Sequence, residues 1–179
     1  MRNFLDCGPA HALPGILFLT AFLGLVLWAA ISDARGFRIP NAVSLALTAL
    51  FFVRLLFVTP QAGLKAHLLT AAIAFSVLFA FFLAGKLGGG DTKLISAILL
   101  WTGPVTGMQF IVALALAGGV FAGFLWTLAK ALRVYAGLAA YVPWPRLTRW
   151  ARHGVLPYSL PIFAAALLVS PRLLEEACR

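Results

Sequence analysis

The sequence predicts an all-α polytopic membrane protein with about six transmembrane helices and both termini outside the cytoplasm. Three observations predict it. Of the 179 residues, 63% are hydrophobic and 11% charged, against about 45–50% and about 25% in soluble domains. The apolar residues gather into runs bounded by Pro, Gly or charge, and the 14 Lys and Arg lie almost entirely between those runs. A span needs about 20 apolar residues, so six of them use most of the chain and residues 1–179 form one integral-membrane domain.

The spans are expected near 13–31, 42–58, 67–84, 91–102, 105–128 and 155–170. Leu13–Ile31 is longer than the 7–15 apolar residues of a signal-peptide core, so it reads as a retained span. It must end before Pro40, which disfavours helix at Ile39, and Asn41 suits the N-cap of the second span. The fourth is the shortest. Counted from Asp91 to Gly103-Pro104 it has about 12 residues and reaches roughly 18 Å.

Charge decides whether that short segment crosses, because Lys and Arg collect in cytoplasmic loops. With six spans one face holds Arg35, Arg38, Lys86, Lys93, Lys130, Arg133, Arg146, Arg149 and Arg152, and the other only Arg2, Lys65, Arg172 and Arg179. Arg54 is left inside the second span, where its long stem would carry the guanidinium to the interface. Removing the fourth crossing would hand the basic residues of 130–152 to the poorer face. That connector, with Pro143, Trp144, Pro145 and Trp150, is expected to hug the cytoplasmic interface. Trp28, Trp101 and Trp126 read as interface aromatics, and Gly118, Gly119 and Gly123 as sites of close helix packing. The net charge of +9 is thus a topology signal, and no nucleic-acid partner is expected. Cys7 and Cys178 give no disulfide framework, and with three scattered histidines they lack zinc-site spacing. No metal and no cofactor are expected.

Five acids exist, and three lie in the polar head or tail: Asp6, Glu175 and Glu176. Asp33 and Asp91 remain, each at the edge of an apolar run, where a charge is costly and needs a reason. Two crossings separate them, and an even number returns the chain to the side it left. Both therefore belong to one face, the cytoplasmic one. Gly88, Gly89 and Gly90 precede the second acid and would let a peptide approach without side-chain obstruction. Two carboxylates held close share one proton, leaving one as base and the other as acid. The base activates water while the acid protonates a carbonyl oxygen, which is peptide hydrolysis without a nucleophilic side chain or a metal.

Gly88-Gly89-Gly90-Asp91 matches the GxGD signature of intramembrane aspartyl proteases. Asp33, followed by Arg35 and Ile39-Pro40-Asn41, resembles the first motif of type IV prepilin peptidases, and Gly90-Asp91-Thr92-Lys93-Leu94 continues that likeness. Leu156-Pro157-Tyr158 is a weaker match. The resemblance implies a membrane aspartyl endopeptidase of the bacterial inner membrane that removes the leader of a pilin-like precursor. It implies Asp33 and Asp91 as the catalytic pair, supported by Gly88, Gly90, Lys93, Ile39, Pro40 and Asn41. The loop at 32–41 is short, as in the compact members of tight-adherence (Flp) pilus systems, so no methyltransferase activity and no S-adenosylmethionine are expected. The expected partners are the precursor and the lipid bilayer; the sequence sets no oligomeric state.

Other readings compete. Asp91 could simply cap the fourth helix, and Asp33 could pair with Arg35 or Arg38 at the rim. Lys93, two residues from Asp91, points to another helix face, so a direct pair is not expected. A proton- or ion-coupled transporter would also hold intramembrane acids, but both acids map to one face rather than the midplane. A noncatalytic subunit of a pilus or secretion assembly is the third class.

Overall fold

The computed structural model describes residues 9–57, 62–134, 150 and 157–177. Cys7, Cys178, most of the 130–152 connector and both chain ends lie outside the described residues. Every regular element described is helical: α1 (Pro9–Gly36), α2 (Asn41–Arg54), α3 (Gly63–Leu83), α4 (Gly89–Val134) and α5 (Ser159–Ala177). Leu13–Gly36, Gly63–Leu83 and Gly89–Leu132 are long and apolar enough to cross a membrane, and Asn41–Arg54 is a shorter apolar helix. Large apolar side chains such as Leu45, Leu56 and Val120 point outward, the arrangement of a protein whose surroundings are lipid rather than water.

The expected fourth and fifth spans form one helix interrupted at a single residue. Gly103 has φ 62 and ψ −165, a conformation open to glycine and closed to most side chains. The bend there is sharp. A Cβ at Gly107 would lie 3.0 Å from Leu99 Cδ2, whereas an unbroken helix would set those residues about 12 Å apart along its axis. Pro104, lacking an N–H, falls where the second limb starts and no donor is needed.

The core forms where α1, α2, the first limb of α4 and α5 meet around Trp101. Its indole packs on Phe22 at 4.9 Å and Phe51 at 6.1 Å between centroids, and its Nε1–H donates to Leu47 O at 2.8 Å. Arg54 is buried with its guanidinium carbon 5.5 Å from the Trp101 ring centroid. This corrects two expectations: Trp101 is a core residue rather than an interface aromatic, and Arg54 turns inward instead of reaching for the interface. The face of an electron-rich ring offers the cation a partner inside the protein. His67 completes the cluster, its Nδ1 donating to Leu100 O at 2.8 Å beside the Gly103 bend.

Two further differences concern local structure. Asn41 is the first residue of α2 rather than its cap; Pro40 holds the cap position with φ −61 and ψ 131 and makes no side-chain bond. Gly119 and Gly123 have nothing within 4 Å of a Cβ built on them, so they pack against no described element of this chain.

Candidate active site

Asp33 occupies the last turn of α1, and three local features hold it. Phe37 takes a left-handed conformation, φ 50, which costs a non-glycine residue about 1 kcal/mol and ends the helix. Its N–H donates to Asp33 O at 2.7 Å. Ser32 Oγ donates to Arg38 O at 2.9 Å, folding the 37–40 segment back against the helix end. The Asp33 side chain is buried. Its Oδ2 accepts a 2.7 Å bond from Ser159 Oγ and a 3.3 Å bond from Ser159 N–H. The rim pair with Arg35 or Arg38 is thus not its hydrogen-bonding arrangement. Asp33 meets the N-terminus of α5, whose free amides and dipole favour an anion.

Asp91 sits in the first turn of α4. It is not a capping side chain: its Oδ1 is buried with no hydrogen-bond partner, and Thr92 N–H and Oγ both donate to Gly88 O instead. The glycines before it are explained one by one. A Cβ at Gly88 would fall 2.8 Å from Asp91 Oδ2, so the carboxylate leans over a bare Cα. At Gly90 it would meet Ile39 Cβ at 3.1 Å, and at Gly89 the ring of Phe82 at 3.2 Å. The room that glycine leaves is therefore filled by this chain's own Asp91, Ile39 and Phe82. Gly88 makes space for the second acid, and Gly90 lets the segment of the first acid lie against it.

Lys93 Nζ donates to Asn41 Oδ1 at 3.0 Å, tying α4 to the start of α2 and leaving Asp91 unpaired with it, as its spacing predicts. Asp33, Ile39, Pro40, Asn41, Gly88, Gly90, Asp91 and Lys93 all line one cavity of about 690 Å³, together with Ser32, Phe37, Arg38 and Gly89. The two aspartates and the six supporting residues expected from the sequence are all brought together there, whereas Arg35, Thr92, Leu94 and Tyr158 of the same motifs do not line the cavity. The volume lies within the range of about 300–1,000 Å³ typical of ligand sites, and the lining offers two acids, a positive flank from Arg38 and Lys93, and exposed backbone. Among the described residues no group of three or more His, Cys, Asp or Glu stands together to hold a metal.

The model of the type IV leader peptidase family matches residues 12–123, more than half of the chain. The chain belongs to the type IV leader peptidase family. Membership implies a peptidase, and the matched segment carries both aspartates and every glycine of the second motif. No curated protein and no solved structure matches the chain. Ser159 lies beyond the matched segment, and sequence reasoning missed it. The neighbouring Pro157-Tyr158 marked the region, but Tyr158 is 41% exposed whereas Ser159 is fully buried. A serine at the start of an apolar run, just after Pro-Tyr, was the available signal.

Proposed function

We propose that this family member is an aspartyl endopeptidase of the bacterial inner membrane that hydrolyses the bond joining the leader to the apolar helix of a type IV pilin-like precursor. Asp33 and Asp91 are the catalytic pair. One removes a proton from water and the other protonates the carbonyl oxygen of the scissile bond. The site works from the cytoplasmic face, and the chain crosses the membrane six times with its termini outside. Neither a metal nor S-adenosylmethionine takes part.

The observation that carries this reading is the shared cavity. Two acids 58 positions apart, from two motifs, line it with the residues that flank each of them. A transporter path would place such groups along a route through the membrane; here they end one cavity between the foot of α1 and the head of α4. Lys93 and Asn41 fix the two helices to each other, and Gly88 and Gly90 set the spacing of backbone and carboxylate.

The test is cleavage of a pilin-like precursor by the full chain in lipid vesicles. Asp33→Asn and Asp91→Asn should each lower the rate by at least about 10³-fold, the scale of general acid–base catalysis, with insertion and helix content unchanged. Full cleavage by either variant would overturn the assignment.

A further inference from the structure

We propose that Ser159 is a positioning residue that makes the pair asymmetric, holding Asp33 as the carboxylate that activates water and leaving Asp91 to carry the shared proton. The inference rests on the reading of Asp33 and Asp91 as a hydrolytic pair and adds to it the role of each acid.

The two carboxyl groups have unlike surroundings. Asp33 Oδ2 accepts from the Ser159 hydroxyl at 2.7 Å and from the Ser159 N–H at 3.3 Å. The hydroxyl bond has the ordinary length of a well-formed O–H···O bond. Both donors belong to the first residue of α5, a 19-residue helix, so the positive end of its dipole adds to them. An ionised carboxylate accepts hydrogen bonds and gives none, which suits two donors converging on one oxygen. Asp91 has no such support. Its Oδ1 is buried and unpartnered, and a buried lone oxygen tolerates a proton better than a charge. The other charged groups lining the cavity are Arg38 and Lys93, and Lys93 is taken up by Asn41.

Ser159 itself is not a nucleophile in this arrangement. It is fully buried and its hydroxyl hydrogen is committed to Asp33. With Oδ2 pinned, Oδ1 of Asp33 is the oxygen left to take a proton from water. The water oxygen bonds to the scissile carbonyl carbon, its proton passes to Asp33, and the proton of Asp91 passes to the carbonyl oxygen. In the return step the C–N bond breaks and the leaving nitrogen takes the proton from Asp33. One hydroxyl proton of the intermediate goes back to Asp91, restoring the carboxyl group. Atoms and protons balance without another reactant.

The experiment compares the native chain with Ser159→Ala and Ser159→Thr, in lipid vesicles, by the kcat and KM of precursor cleavage. Ser159→Ala keeps the N–H donor and loses the hydroxyl. Its kcat should fall about tenfold or more, the worth of one hydrogen bond to a charged group, while KM stays close to native. Ser159→Thr, which keeps the hydroxyl, should restore most of kcat. Native kcat in Ser159→Ala, or Ser159→Thr no better than Ser159→Ala, would overturn the proposal. Helix content and precursor binding measured on the same samples show whether a loss comes from misfolding; a fall in both that Ser159→Thr shares also overturns it. Absence of cleavage by the native chain would instead refute the peptidase reading itself.

Discussion

The two ends of α2 bury polar groups in contrasting ways. At its C-terminal end Arg54 lies over Trp101, the Trp101 indole donates to Leu47, and His67 donates to Leu100 beside the Gly103 bend. Those groups fill one another's surroundings and close a corner where three helices turn. At its N-terminal end, about 20 Å away along the helix axis, Asn41 and Lys93 bridge the rim of a cavity into which two carboxylates project. Buried polar atoms without a hydrogen-bond partner occur at both ends, Thr102 Oγ1 at the enclosed one and Asp91 Oδ1 at the open one, and Asp91 is the one that lines the cavity. Buried polarity that is enclosed specifies a fold, whereas buried polarity left open beside a cavity is available for chemistry.

Substitutions at the two ends should therefore fail differently. Asp33→Asn and Asp91→Asn, with the largest effect, should remove cleavage while leaving the unfolding midpoint in detergent near native; a large fall in that midpoint would mean the carboxylates are structural after all. Gly88→Ala comes next. Its Cβ would sit 2.8 Å from Asp91 Oδ2 and push the carboxylate aside, and a misplacement of about 1 Å costs up to about a hundredfold in rate. Single-turnover cleavage with precursor binding measured separately checks it, and an unchanged rate would show that the carboxylate's position is not set from below.

At the enclosed end, His67→Ala should destabilise the protein by about 2 kcal/mol through the lost hydrogen bond and the void beside Gly103. Reversible unfolding in mixed micelles measures this, and the activity of each folded molecule should stay within about twofold of native, on the order of 0.4 kcal/mol. The smallest effect belongs to Gly119→Ala, where open space surrounds the new methyl group. Helix propensity alone predicts a gain of up to about 1 kcal/mol. A marked loss there would reveal a neighbour that the described residues do not include.

What the sequence made legible was whatever depends on short spacing. Asp33 with Ile39-Pro40-Asn41, and Gly88 to Lys93, are each compact, and both motifs line the one cavity. The break at Gly103-Pro104 was visible for the same reason. What escaped depends on contacts between distant parts of the chain. Trp101 near a span end looks like an interface anchor until Phe22, Phe51 and Arg54 surround it. Asn41 looks like a cap until Lys93, 52 positions on, claims its side-chain oxygen. The three glycines announced a close approach, but not that Ile39, Phe82 and Asp91 would be what approaches.

The bond between Ser159 and Asp33 joins residues separated by 126 positions. A ribosome making this chain has released both aspartates while α5 is still to come, so the nascent protein holds its acids without the donor that steadies one of them. On the roles proposed above for Asp33, Asp91 and Ser159, the pair would gain its asymmetry only when the closing helix arrives.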